Sequence, residues 1–142
     1  MRNNRSIPSP TIIPELAYAD VPAAAAWLCR AFGFTEHLRI GDHRIQLLCG
    51  DGAVVVMDRS RESADASPSG HGILVRVADV DVHYARAVAA GADVSSPPVT
   101  HPFGERQYGA RDPGGHRWTF SQTVDDVDPA SWGGQLVRRD EP

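Results

Sequence analysis

Chemistry in this chain falls to arginine, histidine and carboxylate, because all fourteen basic side chains are arginine and lysine is absent. That excludes a lysine Schiff base, a lysine nucleophile and the lysine of a phosphate-binding loop. The six histidines do not assemble by spacing. His37 and His43 flank a hairpin, His83 sits in a helical stretch, His101 lies between prolines, and His71 and His116 follow glycines. No pair has the i, i+4 spacing of a helical zinc motif, so surface or turn positions are expected for them. Cys29 and Cys49 are too few for a disulfide framework and lack partners at metal-ligand spacing, which predicts buried free thiols. Asp42, Asp51 and Asp58 fall in or beside turns, where aspartate is favoured for its own sake.

Hydrophobic periodicity supplies the elements that must position these groups. Thr11 to Ala19 alternates as a strand. Asp20 is placed as an N-cap, with Pro22 in the first turn of a helix over Ala23 to Phe32 that stops at Gly33. Strands follow at Thr35 to Ile40, His43 to Leu48 and Gly52 to Asp58, separated by the turn signals Gly41-Asp42 and Gly50-Asp51-Gly52. Ser60 to Gly70 is polar and aperiodic, hence a linker. The pattern then restarts with a strand at Ile73 to Val77 and an Asp79-capped helix to about Ala90, ended by Gly91. Asp93 to Val99 is a strand interrupted by proline, which predicts an edge. Gly104 to Arg111 and His116 to Gln122 are strands joined by Asp112-Pro113-Gly114-Gly115.

Both halves obey one order: strand, Asp-capped helix, glycine stop, three strands. Ala19-Asp20-Val21 and Ala78-Asp79-Val80 are offset by 59 residues, and Gly33 and Gly91 by 58. The shared order reads as an internal duplication of a βαβββ unit. The expected boundaries are a flexible N-terminus over 1–10, a first module over 11–59, a linker over 60–70, a second module over 71–124 and a tail over 125–142. Together they form one folded domain, large enough to bury a core without disulfides.

The tandem βαβββ order resembles the vicinal oxygen chelate superfamily of glyoxalases, extradiol dioxygenases, fosfomycin-resistance enzymes and bleomycin-resistance proteins. Leu16-Ala17-Tyr18-Ala19-Asp20, Ala31-Phe32-Gly33-Phe34 and Val77-Ala78-Asp79-Val80-Asp81 carry the likeness. So does Phe103 to Tyr108, leading into the Arg111 to Phe120 run with its Asp-Pro-Gly-Gly turn. The resemblance covers roughly residues 9 to 124, and the likeness is nearest to bleomycin-resistance and glyoxalase-like members. It implies an α+β fold whose two modules form a curved eight-stranded mixed sheet around a cavity, with helices on the convex face. It also implies a homodimer.

Metal-dependent members of that superfamily place ligands on the first strand of each module and near the end of the last strand. The matching positions here are Ile13, Gly72 and Thr119, none of which offers a useful donor to a divalent ion. His71 is one residue from its position, and a one-residue slip turns a strand side chain to the other face. The expectation is therefore no metal and no cofactor.

Strand parity then nominates a cavity lining: Ile13, Glu15, Ala17, Gln46, Val54, Val56, Leu74, Arg76, Gln107, Arg117 and Thr119, with Gln46 and Gln107 as equivalents. Apolar walls with a few polar groups suit a small-molecule pocket. Glu15 and Arg76 are expected to pair across adjacent strands, with Glu15 the carboxylate placed for proton transfer. The resemblance places Phe103 where drug-binding relatives carry a stacking aromatic, and Leu38 where they carry a second one. Trp27 is expected in the core or at a dimer contact, and Trp132 as an anchor for the tail.

A net charge of −4 argues against a nucleic-acid surface. No apolar run approaches the ~20 residues of a membrane span, and the polar N-terminus lacks a hydrophobic signal region, so a cytoplasmic protein is expected. Three readings follow. The first is a metal-free dimer that binds or sequesters a small hydrophobic, partly polar or anionic molecule, as resistance proteins do. The second is a metal-independent lyase, isomerase or cyclase with Glu15 as acid–base, and the third a metal-dependent lyase or dioxygenase, which Ile13 and Thr119 oppose.

Overall fold

The computed structural model describes residues 4–59 and 71–136. The first module contains β1 (Glu15–Tyr18), α1 (Val21–Phe32), β2 (Thr35–Ile40), β3 (Arg44–Cys49) and β4 (Gly52–Asp58). The second repeats the order with β5 (Ile73–Arg76), α2 (Val80–Ala89), β6 (Asp93–Thr100), β7 (Glu105–Arg111) and β8 (Arg117–Thr123). A short 3-10 turn follows at Pro129–Trp132.

Each module folds its strands into one four-stranded sheet, ordered β1-β4-β3-β2 and β5-β8-β7-β6. In both, the first and last strands pair in parallel and the remaining pairs are antiparallel. The duplicated order is thus realised strand for strand. The caps repeat as well: Asp20 accepts from Ala23 N at 3.0 Å and Asp79 from Val82 N at 3.1 Å. Gly33 closes α1 in the left-handed region at φ 80, where its N–H reaches Cys29 O at 3.1 Å. The proline-interrupted β6 is an edge strand, and its ladder to β7 shifts register between Val94 and Ser96 and between Ser96 and Val99.

The expected single eight-stranded sheet is not formed: among the described residues the chain makes two four-stranded sheets. The reason lies in the core. Phe32, at the end of α1, packs on Phe120 and Trp118 of β8, with ring centroids 4.7 and 5.5 Å apart, and Phe34 packs on Trp118 at 5.4 Å. Leu16, Tyr18, Ile45, Leu47, Val54 and Val56 of the first module join Tyr108, Ala110, Trp118 and Phe120 of the second in one buried cluster. Both sheets therefore turn their helix sides toward a shared core, and each keeps its other face on the outside.

Two polar links hold the modules in that arrangement. In the Asp-Pro-Gly-Gly turn, buried Asp112 accepts four hydrogen bonds. Tyr18 Oη donates to Oδ2 at 2.5 Å and Trp118 Nε1 to Oδ2 at 3.0 Å, while Gly114 N and His116 N each donate to Oδ1 at 3.0 Å. Burial and the Asp112 carboxylate push the Tyr18 phenol well up, so it remains the donor. His116 adds a bond from Nε2 to Ala17 O at 2.9 Å.

The second link joins the helices. His83 of α2 donates from Nε2 to Phe32 O at 3.1 Å and accepts from Tyr108 Oη at Nδ1, 2.6 Å away. Arg86 donates to Arg30 O at 3.0 Å and to Cys29 O at 3.3 Å. Both side chains thus bond carbonyls of the last turn of α1, with Cys29 O shared between Arg86 and Gly33 N. His116 keeps its place at the turn but is buried, and His83 is half-buried and bonded on both nitrogens where a surface or turn position was expected. Cys29 and Cys49 are free and half-buried, and burial pushes both thiols up. No helix among the described residues is long and apolar enough to cross a membrane.

Candidate functional site

The outer face of the second sheet can be assigned from its ladders. Register partners share a face, so one row runs Arg76–Ser121–Gln107–Val99 and the next Leu74–Thr119–Gly109–Ser96. Arg117 lies on the same face two residues before Thr119. Of these, Leu74, Ser96, Val99, Gln107, Gly109, Arg117 and Thr119 line a cleft of about 660 Å³ together with Ser95, Pro97 and His101, while Arg76 lines a separate pocket of about 510 Å³. The bulged, proline-containing edge of β6 raises one wall. Gly109 keeps the floor open, since a Cβ there would meet Ser95 Oγ at 2.7 Å and Ser96 Oγ at 3.3 Å.

Leu74 is 67% exposed and Val99 49%, so the face is both apolar and uncovered. Its two arginines join no ion pair among the described residues; Arg117 donates only to His71 O, at 3.1 Å. A hydrogen-bond chain crosses the first row, with Gln107 Nε2 donating to Ser121 Oγ at 3.1 Å and Ser121 Oγ to Glu105 Oε1 at 2.6 Å. The Ser121 hydroxyl, then Thr123 and the Arg76 charge, hold the Glu105 carboxyl below the usual range. Glu105 was not anticipated from the sequence. Its signal was present, because it stands two residues before Gln107 on one strand.

Leu74, Arg76, Gln107, Arg117 and Thr119 come together on this face. The first-module candidates do not join them. Glu15 pairs with Arg44, Oε2 to Nη2 at 2.5 Å, and not with Arg76, because β1 and β5 belong to separate sheets. Leu38 and Gln46 share the outer face of the first sheet with Glu15 and Val55. Val56 is a correction: it is fully buried on the helix side, in register with Leu16, and Val54 lies on that side too. Gln46 and Gln107 are not equivalents either. Glu15 and Leu74 each stand five residues before their capping aspartate, so the first-module row Glu15–Val55–Gln46–Leu38 matches Leu74–Thr119–Gly109–Ser96.

Phe103 stacks on His101 with centroids 5.0 Å apart and planes within 4°, and Trp132 packs behind it at 5.5 Å. His101 reaches the cleft wall and Phe103 backs it. A two-sided clamp with Leu38 is not built, since Leu38 sits on the other sheet. Trp27 packs edge-on against Phe32 at 5.0 Å and is half-buried at the core.

The residues do not fit a divalent ion. Thr119 has Leu74 and Gly109 as its register partners, with no carboxylate or imidazole beside it. Nε2 of His116, the ring nearest His71 at 6.2 Å, is engaged by Ala17 O. Among the described residues no three His, Cys, Asp or Glu side chains gather as a metal site.

The model of the Glyoxalase/Bleomycin resistance protein/Dioxygenase superfamily matches residues 12–120, and the chain belongs to that superfamily. Among solved structures it is similar to TioX from Micromonospora sp. ML1, with 37% identity over 84% of this chain and 100% of that one, at a TM-score of 0.68. A glyoxalase/bleomycin resistance protein/dioxygenase from Nocardioides shares the fold at 23% identity, covering 92% of each chain with a TM-score of 0.66. Lactoylglutathione lyase from Agrobacterium tumefaciens shares it at 23% identity over 89% of this chain and 98% of that one, TM-score 0.64. No curated protein matches the chain.

Proposed function

We propose that this chain is a binding protein for a small, partly apolar molecule bearing an anionic or carbonyl group, held on the outer face of the second sheet. One observation carries the reading: among the described residues Arg117 lines the cleft without an ion pair, over a floor of Leu74, Thr119 and Gly109, and Arg76 adds a second positive charge on the same face, near Glu105. Four residues along β8 separate their rows, roughly 13 Å at the rise of a strand. Guanidinium groups are permanently charged forks that hold carboxylate or enolate oxygens and do not move protons, which favours binding over turnover. Glu15, the acid–base candidate, is exposed, ion-paired to Arg44 and on the other sheet from this face.

The exposed apolar side chains Leu74 and Val99 favour a homodimer in which a second copy covers the cleft. Sequestration of a toxic compound is the physiological role in keeping with the bleomycin-resistance branch of the family. The test uses 8-anilinonaphthalene-1-sulfonate, a planar anion, as fluorescent probe. Saturable binding should weaken at least tenfold in Arg76→Gln/Arg117→Gln and in Gly109→Val, which fills the floor. Unchanged binding in both variants would move the site elsewhere.

A further inference from the structure

A further concavity lies at the joint between the modules, where α1 and the Asp-Pro-Gly-Gly turn border a cavity of about 410 Å³. Ala23, Trp27 and Arg30 stand at i, i+4 and i+7, so they share one face of α1, and all three line it. The side chains of Ala23 and Ala24 are short, which leaves room beside the Trp27 ring. Pro113 and Gly114 supply the second module's wall. A Cβ at Gly114 would meet Tyr18 Cδ2 at 2.6 Å, so the turn rests directly on that ring. Arg59, just past β4, donates from Nη2 to Gly114 O at 3.4 Å, which holds its guanidinium at the rim.

The charge on this cavity is lopsided. Among the described residues Arg30 and Arg59 join no ion pair, and the one carboxylate on the wall, Asp20, has its Oδ1 engaged by Ala23 N at 3.0 Å. Two permanently charged forks beside an indole and a proline ring suit a flat apolar acid. The guanidinium groups pair with the carboxylate, and Trp27 and Pro113 cover the hydrocarbon. We infer that this cavity is a second binding site, for a planar aromatic carboxylate held by Arg30 and Arg59 against Trp27. A molecule seated there touches α1 and the Asp112 turn at once, so it fastens the two modules beside the bond from Tyr18 to Asp112.

This cavity stands apart from the cleft on the outer face of the second sheet, and the experiment reads the two separately. The full chain, labelled with nitrogen-15, is titrated with 2-naphthoate and followed by NMR at the Trp27 indole N–H, assigned with Trp27→Phe. Saturable shifts are expected there. Arg30→Gln/Arg59→Gln should weaken the affinity about tenfold, the worth of one hydrogen bond to a charged group. Both side chains are exposed, so the double variant keeps the fold. The neutral isostere 2-naphthamide should bind about tenfold more weakly than the acid for the same reason. Arg117→Gln should leave the naphthoate affinity read at Trp27 unchanged. No saturable shift at Trp27, equal affinity in the double variant, or equal affinity for the amide would each overturn the inference. Loss of the Trp27 shift in Arg117→Gln would place the probe in the cleft and overturn it as well.

Discussion

In the first module the middle of the row Glu15–Val55–Gln46–Leu38 is buried, with Gln46 bound to the N-terminal segment at Ser6 O, while its counterpart, Leu74–Thr119–Gly109–Ser96, ends in exposed Leu74 and Ser96. The backbone plan is the same in both sheets, so the contrast comes from side chains. A glutamine reaches up in one and binds the chain that crosses it; in the other a glycine leaves a floor beneath a raised edge. Duplication thus supplied two equal platforms, and substitution at equivalent points made one closed and one open. The same divergence runs through the turns and helices, where it can be tested by mutation.

The largest effect is expected at the turns between the last two strands of each module. In the second module Asp112 gathers two backbone N–H groups, the Trp118 indole and the Tyr18 phenol of the other module. Asp112→Ala leaves several buried donors unpaired and should cost about 3–5 kcal/mol, read as the midpoint of urea unfolding. Among the described residues the first module's turn at Gly50 and Asp51 holds no such knot, and Asp51→Ala should leave the midpoint nearly unmoved. Equal losses at the two turns would mean that the modules are not joined through Asp112.

How far the sequence reveals this asymmetry depends on what alternation can encode. In β8, Arg117, Thr119 and Ser121 alternate with Trp118 and Phe120, so the outer face of the second module was legible residue by residue. In β4, Val54-Val55-Val56 is a continuous apolar run without phase, and Val56 was placed on the wrong side. Such a run arises where a strand is buried on both faces. Here the second covering includes a polar, proline-rich segment whose one buried anchor is Pro8, which no periodicity announces. Separate sheets were likewise invisible: the pattern shows which face of a helix is buried, not that Phe32 finds Phe120 of the other module. Glu105 and Gly109 followed the same parity as Gln107, and reading β7 in steps of two would have found both.

An intermediate effect should appear with pH. Residue 83 in α2 corresponds to Ala24 in α1, each four residues after its capping aspartate, so only the second helix carries a titratable group at that point. Burial above all lowers the His83 pKa from its ordinary 6.5, with the nearby Arg86 charge acting in the same direction against the bond to Phe32 O. The unfolded chain therefore takes up a proton more readily than the folded one. This stability is fully present above about pH 6.5 and is lost as pH falls through the lowered folded value. Thermal melts between pH 8 and 5 should show that loss, and His83→Gln should flatten it. A profile unchanged by His83→Gln would assign the acid sensitivity to other groups.

The smallest effect separates two helix starts that look alike. Asp20 and Asp79 make the same side-chain bond to the third residue of their helices, so equal losses would be expected from that contact alone. The second helix has an additional tie, because Val80 N donates to Gln122 Oε1 at 2.9 Å and fixes its first turn to β8. Asp20→Ala should therefore cost about 1 kcal/mol, the usual worth of an aspartate cap, and Asp79→Ala about half of that. In a Gln122→Ala background the two should become equal. If Asp79→Ala is the costlier from the outset, the tie to Gln122 does not hold the helix, and the two starts differ by something other than their hydrogen bonds.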